Sequence, residues 1–363
     1  MRVALDEQIF AIQPYGGISR MFAELADQFV RGNHADIDLL PLDATIVNRY
    51  VLDSPTLTER LRVTESYNQW TSLARYFTRM RIPREADIVH NTFYLPHGLT
   101  PTRGAKRIVT VNDMIPELLP RTRRRLDWFT LKKRYVDSAD HIICISEATK
   151  QDLIKVYGPT HAPISVVHLG VDSRFRPDVP KEDFLPNSYV LFVGHRDQYK
   201  DADVLFQAFA LIARETPEIH LLCVGGNGLS PEEVHRLERL GIRSRVSQRH
   251  LSDSKMISAY CHADVFVFPS HFEGFGLTAL EAMACGAPTV LAAATSLPEV
   301  GGDAAAYFEP GSATDLADVI LALLADQGRR DELTRLGLAR AAEFTWARTA
   351  EKTARVYREA LAA

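Results

Sequence analysis

Glu273 and Glu281 lie in the stretch Pro269–Glu281, P-S-H-F-E-G-F-G-L-T-A-L-E, and their surroundings suggest an anion site. The apolar run Val265–Phe268 before them reads as a buried parallel strand. Gly274 and Gly276 permit a tight turn with no side chain between backbone and ligand, and Leu277–Cys285 reads as a helix stopped by Gly286. The first N–H groups of such a helix lack internal partners, a position that favours phosphate beyond the sheet's carboxyl edge. Glu281 shares the helix face of Leu277 and Cys285, so its carboxylate needs a partner. A phosphate-bearing ligand with hydroxyls on both sides would satisfy both acids. A surface loop followed by a glutamate paired with a basic neighbour is the alternative.

Other candidates stand where strands are predicted to end. Arg196 and Lys200 fall in the loop after Tyr189–Val193, where two cations neutralise a diphosphate or serve as ordinary surface charges. Gly16 and Gly17 occupy the first strand-to-helix turn and admit a ligand close to backbone, with Arg20 in the following turn. The G-x-G-x-x-G spacing is absent there, which counts against a nicotinamide enzyme. His90, Asn112 and Asp113 are candidates for acceptor contacts at other strand ends. Ser146 is either a further acceptor contact or the N-cap of a helix Glu147–Tyr157.

Strands at Arg2–Leu5, Asp36–Leu40, Ile88–His90, Arg107–Val111, His141–Ile145 and Ile164–His168 alternate with helical segments, as in a parallel α/β sheet. A proline-bearing stretch with Pro177, Pro180 and Pro186 then suggests a junction. A second alternation follows, with strands at Tyr189–Val193, Ile219–Val224, near Arg245–Gln248, at Val265–Phe268 and at Thr289–Ala292. The expected division is therefore a domain at 1–172, a linker at 173–188, a second domain at 189–345 and a final helix from Trp346 that reads as packing.

A length of 363 residues suits two domains of roughly 150 to 200 residues. With 46% hydrophobic and 24% charged residues the composition is that of a globular protein, and its apolar runs fall far short of the ~18 residues of a membrane helix. Met1–Leu5 meets Asp6 and Glu7 at once, so no signal peptide is expected; Cys144, Cys223, Cys261 and Cys285 are isolated and read as reduced core thiols. A cytoplasmic location is expected. Residues 1–176 carry 24 Lys and Arg against 20 Asp and Glu, while the remainder carries 18 against 26. Within 121–134 seven cations surround Trp128 and Phe129, which suits either an anionic membrane surface or a solvated helix face. The overall charge of −4 and the missing recognition motifs argue against nucleic acid.

Together these pieces resemble the retaining glycosyltransferases of family 4. The resemblance rests on Gly16-Gly17-Ile18-Ser19-Arg20, Ile145-Ser146-Glu147-Ala148, Gly170-Val171-Asp172, the Arg196/Lys200 loop, Gly225-Gly226, the E-x7-E pair Glu273/Glu281 and Ser296-Leu297-Pro298-Glu299-Val300. It implies the GT-B fold, two Rossmann-like domains with parallel sheets facing across a cleft and a C-terminal helix returning to the first domain. A nucleotide-sugar donor is implied on the second domain: Arg196 and Lys200 on the diphosphate, Gly225 near it, Gly274, Phe275, Gly276, Leu277 and Thr278 around the helix start, Glu281 on the ribose and Glu273 on the sugar. The loop at Gly16 and Gly17 would close over the phosphates. No metal or other cofactor is implied. The family's histidine of the V-H-D block is replaced by Asn112, which cannot titrate near neutrality; His90 is the nearby imidazole. The position of Arg196 and the opening Tyr15–Arg20 resemble bacterial mannosyltransferases. The activity implied is transfer of mannose from GDP-mannose to a glycan or lipid-linked acceptor in polysaccharide assembly. An epimerase or phosphorylase of the same fold, and a non-catalytic partner subunit, are the rival readings.

Overall fold

Short apolar runs divided by helix-forming segments suit parallel pairing, because a helical crossover returns the chain to the edge from which the next strand starts in the same direction. The computed structural model describes residues 1–32, 34–66, 83–119, 131–196 and 198–363, and it contains two six-stranded sheets of this kind. In the first, β1 (Arg2–Leu5), β2 (Asp38–Leu39), β5 (Ile88–Asn91), β6 (Lys106–Val111), β7 (His141–Cys144) and β8 (Ile164–Val166) run in the order β2-β1-β5-β6-β7-β8. The short strands β3 (Thr45–Ile46) and β4 (Thr64–Glu65) pair separately. In the second, β9 (Tyr189–Val193), β10 (His220–Val224), β11 (Val246–Arg249), β12 (Val265–Phe268), β13 (Thr289–Ala292) and β14 (Ala306–Phe308) run in the order β11-β10-β9-β12-β13-β14. All of β9, β12 and β13 is buried, as helices on both faces require. Strand β14 was not expected: its three residues, Ala306-Tyr307-Phe308, are shorter than the apolar run that marks a buried strand. Among the described residues no helix is long and apolar enough to cross a membrane.

The chain divides into two compact units, Met1–Gly170 with Trp346–Ala363, and Val171–Thr345. Residues 173–188, expected as a linker, belong to the second unit. Their carbonyls meet side chains of the helix Asp253–Cys261 and its end: Pro180 accepts from the Ser258 hydroxyl at 2.8 Å, and Arg176 from the Cys261 thiol at 3.3 Å. Phe175 packs edge-on against Tyr260. Proline-rich backbone has few partners of its own, so an adjacent helix supplies them. Of the basic stretch 121–134, residues 121–130 lie outside the described residues. Lys132 corrects the surface reading: it is fully buried, its ammonium donating to the Asp113 carbonyl at 2.8 Å and to Glu117 Oε2 at 2.9 Å.

The terminal helix Trp346–Ala362 buries Trp346, Ala350, Thr353, Ala354, Tyr357 and Ala360 at helical spacing and packs on the helix Gly17–Val30 of the first unit. His90 ties it to the sheet. Its Nδ1 lies 2.7 Å from the Tyr357 hydroxyl and its Nε2 2.7 Å from the Thr110 hydroxyl. Strand β5 runs one residue past His90, and the imidazole, held between Tyr357 and Thr110, is 1% exposed. This corrects its placement as an acceptor-facing or catalytic group. Burial pushes its pKa down to about 3.

A neutral buried imidazole contributes stability that is complete above the unfolded value near 6.5 and is lost as pH falls toward about 3. At pH 4.5 the corresponding penalty is about 2–3 kcal/mol. Urea unfolding at pH 7 and pH 4.5 is therefore expected to show a loss for the wild-type protein about 2–3 kcal/mol larger than for His90→Gln, whose amide can replace both hydrogen bonds. Equal losses would remove the assignment.

Candidate functional site

Strand order in the second sheet reverses between β9 and β12, and the carboxyl ends of two such strands leave a crevice where ligands bind. The loop after β9 ends in a turn of 3-10 helix, Gln198–Lys200, and the loop after β12 leads to the helix Leu277–Ala284. The two loops meet there through charge. Lys200 Nζ lies 2.5 Å from Glu273 Oε1, with the side chains 15% and 12% exposed. The ammonium also sits 5.0 Å from the centre of the Phe268 ring and 5.3 Å from that of Tyr199.

The loop after β13 holds Glu273 from behind. The Glu273 N–H donates to Thr295 Oγ1 at 3.1 Å, and the Ser296 hydroxyl lies 2.9 Å from the Glu273 carbonyl oxygen and 2.8 Å from that of Phe275. Thr295 adopts φ 47°, a left-handed conformation that is costly for a β-branched residue. This gives the S-L-P-E motif a structural role that its sequence did not reveal. Gly276 opens the helix at φ 115°, and a Cβ there would stand 3.0 Å from Leu297 Cδ2, so only glycine fits. Ala279 and Leu280 make the first bonds of the helix, both to the Gly276 carbonyl, which leaves the Leu277 and Thr278 amides ahead of the ladder. Glu281 is buried on the same helix, and the Tyr260 hydroxyl donates to its Oε2 at 3.2 Å. The partner that the sequence required comes from the neighbouring helix.

Arg196 differs from the expectation of two cations directed at one diphosphate. Its Nε donates to Glu233 Oε1 at 2.6 Å, and its Nη2 to the carbonyl oxygens of Asn227 and Gly228 at 2.6 and 3.1 Å. The side chain is 5% exposed. Glu233 also closes a capping box with Ser230, so Arg196 braces the loop that contains Gly225 and Gly226. Gly226, at φ 66°, packs on the backbone at His195: a Cβ would approach the His195 Cα to 3.3 Å. Arg196 therefore shapes the glycine loop, and Lys200 is the cation beside the carboxylate.

The first unit places its candidates separately. Gly16 precedes the helix Gly17–Val30; its carbonyl accepts from the Arg20 N–H at 2.9 Å, and Gln13 Oε1 accepts from the Ser19 N–H at 3.0 Å. Around Gly17 there is open space. Ser146 is fully buried and accepts from the Thr149 N–H at 2.9 Å, so the N-cap alternative holds and the acceptor one is corrected. Asn112 is nearly buried, while Asp113 accepts from the Ile115 N–H at 3.1 Å and lies 4.0 Å from Lys132 Nζ. The sequence reading missed Asp6. This fully buried carboxylate at the end of β1 accepts from the Thr92 N–H at 3.0 Å and from Asn91 Nδ2 at 2.7 Å, and is also bonded by the Gln8 and Thr92 side chains. Burial raises its pKa and these donors oppose the shift. An acid immediately after an apolar strand was the available signal.

The family model described as "Glycosyl transferases group 1" matches residues 178–339, and the one described as "Glycosyltransferase Family 4" matches residues 15–175. An Escherichia coli protein named O-antigen chain mannosyltransferase B is 31% identical over 282 residues, covering 73% of this chain and 72% of its own length. D-inositol 3-phosphate glycosyltransferase 2 of Catenulispora acidiphila is 36% identical over 247 residues, 61% of this chain and 56% of that relative. Among solved structures, the Anabaena protein HepE in complex with UDP and glucose superposes with a TM-score of 0.74 at 17% identity, over 99% of this chain and 100% of that one. That likeness establishes the GT-B fold, and the family-model matches with the sequence of the Escherichia coli relative show that the chain belongs to glycosyltransferase family 4.

Proposed function

We propose that the chain transfers mannose from GDP-mannose to a glycan or lipid-linked acceptor of a cell-surface polysaccharide, with retention at the anomeric carbon. The observation that carries this reading is the Lys200–Glu273 pair at the β9/β12 switch point, beside the open end of the helix Leu277–Ala284. A sugar diphosphate offers phosphate oxygens to a cation and hydroxyls to a carboxylate. On binding, it exchanges the protein's own ion pair for two charge-assisted contacts of similar kind.

Charge gathering on the departing diphosphate is the main load of such a transfer. Lys200 and the Leu277 and Thr278 amides would meet that charge in the transition state, with no metal called for in this reading. A donor phosphate oxygen takes the proton of the acceptor hydroxyl on the face where the new bond forms. Glu273 orients the sugar, and Glu281, steadied by Tyr260, takes ribose hydroxyls. The choice of mannose is supported by the name of the Escherichia coli relative; the inositol-phosphate enzymes keep the acceptor class open to test.

Thermal stabilisation by a panel of nucleotide-sugars checks the donor. A ligand at a hundred times its Kd adds about 2.7 kcal/mol, and GDP-mannose is expected to give the largest shift. With the donor so confirmed, Lys200→Ala and Glu273→Ala are each expected to lower kcat by about 10²–10³-fold, as removal of a positioned charge-stabilising group does. Wild-type turnover by both variants would reject the site.

Ser296 fixes the backbone that aims Glu273. Ser296→Ala leaves two carbonyl oxygens without that donor and should cost about 1–2 kcal/mol in denaturant unfolding. An unchanged midpoint would show that the 293–296 loop does not support the carboxylate.

A further inference from the structure

Two further polar residues outside these assignments join the same pair of loops. His271, two residues before Glu273, places Nε2 2.6 Å from Asp201 Oδ2, and Asp201 directly follows Lys200. The His271 N–H also donates to the Tyr199 carbonyl at 2.9 Å. The loops after β9 and β12 are thus connected by three rungs, one from the backbone of His271, one from its imidazole, and the Lys200–Glu273 contact itself. A third loop backs the ring: a Cβ on Gly311 would lie 3.3 Å from His271 Cε1, so that position leaves room for the imidazole.

Asp201 is held at a cost. It adopts φ 53° and ψ 40°, the left-handed region, and its side chain is only 12% exposed. Burial pushes its carboxyl pKa up, and the imidazole opposes that shift. A residue serving only as the entrance to the helix Ala202–Glu215 needs neither the burial nor the left-handed turn; serine or asparagine in ordinary extended geometry would cap it. The turn instead directs the carboxylate back across the crevice to His271.

We infer that Asp201 and His271 are positioning residues of the donor site: by clasping the loop after β9 to the loop after β12, they hold Lys200 and Glu273 together at the place where a sugar diphosphate would exchange their ion pair for its own contacts. This rests on the nucleotide-sugar reading of the site given above. The clasp acts through Lys200 and Glu273 and does not itself touch the donor. Its effect on binding therefore depends on the Lys200 ammonium being present.

The substitution Asp201→Gly keeps the left-handed turn at no steric cost and removes the clasp along with the carboxylate's interaction with the Val204 N–H, while Asp201→Asn keeps the turn and an oxygen beside the imidazole. Calorimetric titration with GDP-mannose and with UDP-glucose, in the wild-type and Lys200→Ala backgrounds, gives the test. Asp201→Gly and His271→Ala are expected to weaken binding of the donor about tenfold in the wild-type background and to add nothing to Lys200→Ala, since groups acting as one unit are not additive. Asp201→Asn should stay within about twofold of wild type. Unchanged binding by Asp201→Gly, or an equal loss in both backgrounds, would overturn the clasp while leaving the donor site standing. A wild-type protein that binds neither probe, or a Lys200→Ala protein that binds like wild type, would reject the donor site and the clasp with it.

Discussion

The contact between Lys200 and Glu273 is the constraint that the loops around the second sheet serve. Two opposite charges that are largely out of water lose most of the solvation they would have when exposed, and their mutual attraction roughly repays that loss. Such a pair adds little to stability. It does leave an ammonium and a carboxylate already desolvated, fixed in position and able to trade each other for a ligand. The surrounding structure supports that condition: Thr295 tolerates a left-handed backbone to receive the Glu273 N–H, Ser296 holds the carbonyls on either side of the turn, and Gly276 lets the helix begin against Leu297. Strain that persists at Thr295 has a local purpose of this kind.

Much of this frame was legible because parallel strands covered on both faces must be apolar throughout. Tyr189–Val193, Val265–Phe268 and Thr289–Ala292 were readable to the residue for that reason. The face of Glu281 followed from helical periodicity, and its need for a partner from the cost of burying charge. What periodicity cannot supply is the identity of a partner distant in sequence. Tyr260 lies 21 positions from Glu281 and Glu233 lies 37 from Arg196, so a cation that seemed available for phosphate was already claimed. The same limit applies to His90. It lies on the face covered by the terminal helix, and the Tyr357 hydroxyl that meets its ring comes from 267 positions along the chain, which no local pattern announces. Proline in 173–188 suggested a linker, but irregular chain can pack against its domain when neighbouring side chains meet its carbonyls, as those of Ser258 and Cys261 do here.

Both sheets reverse strand order at a switch point, with two strands before the reversal in the first and three in the second, and they use it in opposite ways. In the first sheet the reversal falls between β1 and β5, and there Asp6 receives donors from Gln8, Asn91 and Thr92, with Arg107 extending the network to the Asn91 side chain and the Gly98 carbonyl. Each of those bonds lies in a dry environment, where removing one leaves an unsatisfied group, so the cluster is held as a whole and a ligand gains nothing by displacing a member. In the second sheet the Glu273 carboxylate has Lys200 as its side-chain partner among the described residues. One contact can be exchanged for one from a substrate at little net cost. The difference between a structural acid and a substrate-facing one is thus the number of partners that must be given up. By that measure the Glu273 end of the E-x7-E motif, not the buried Asp6 at the switch point of the first sheet, is the acid that the proposed donor would engage.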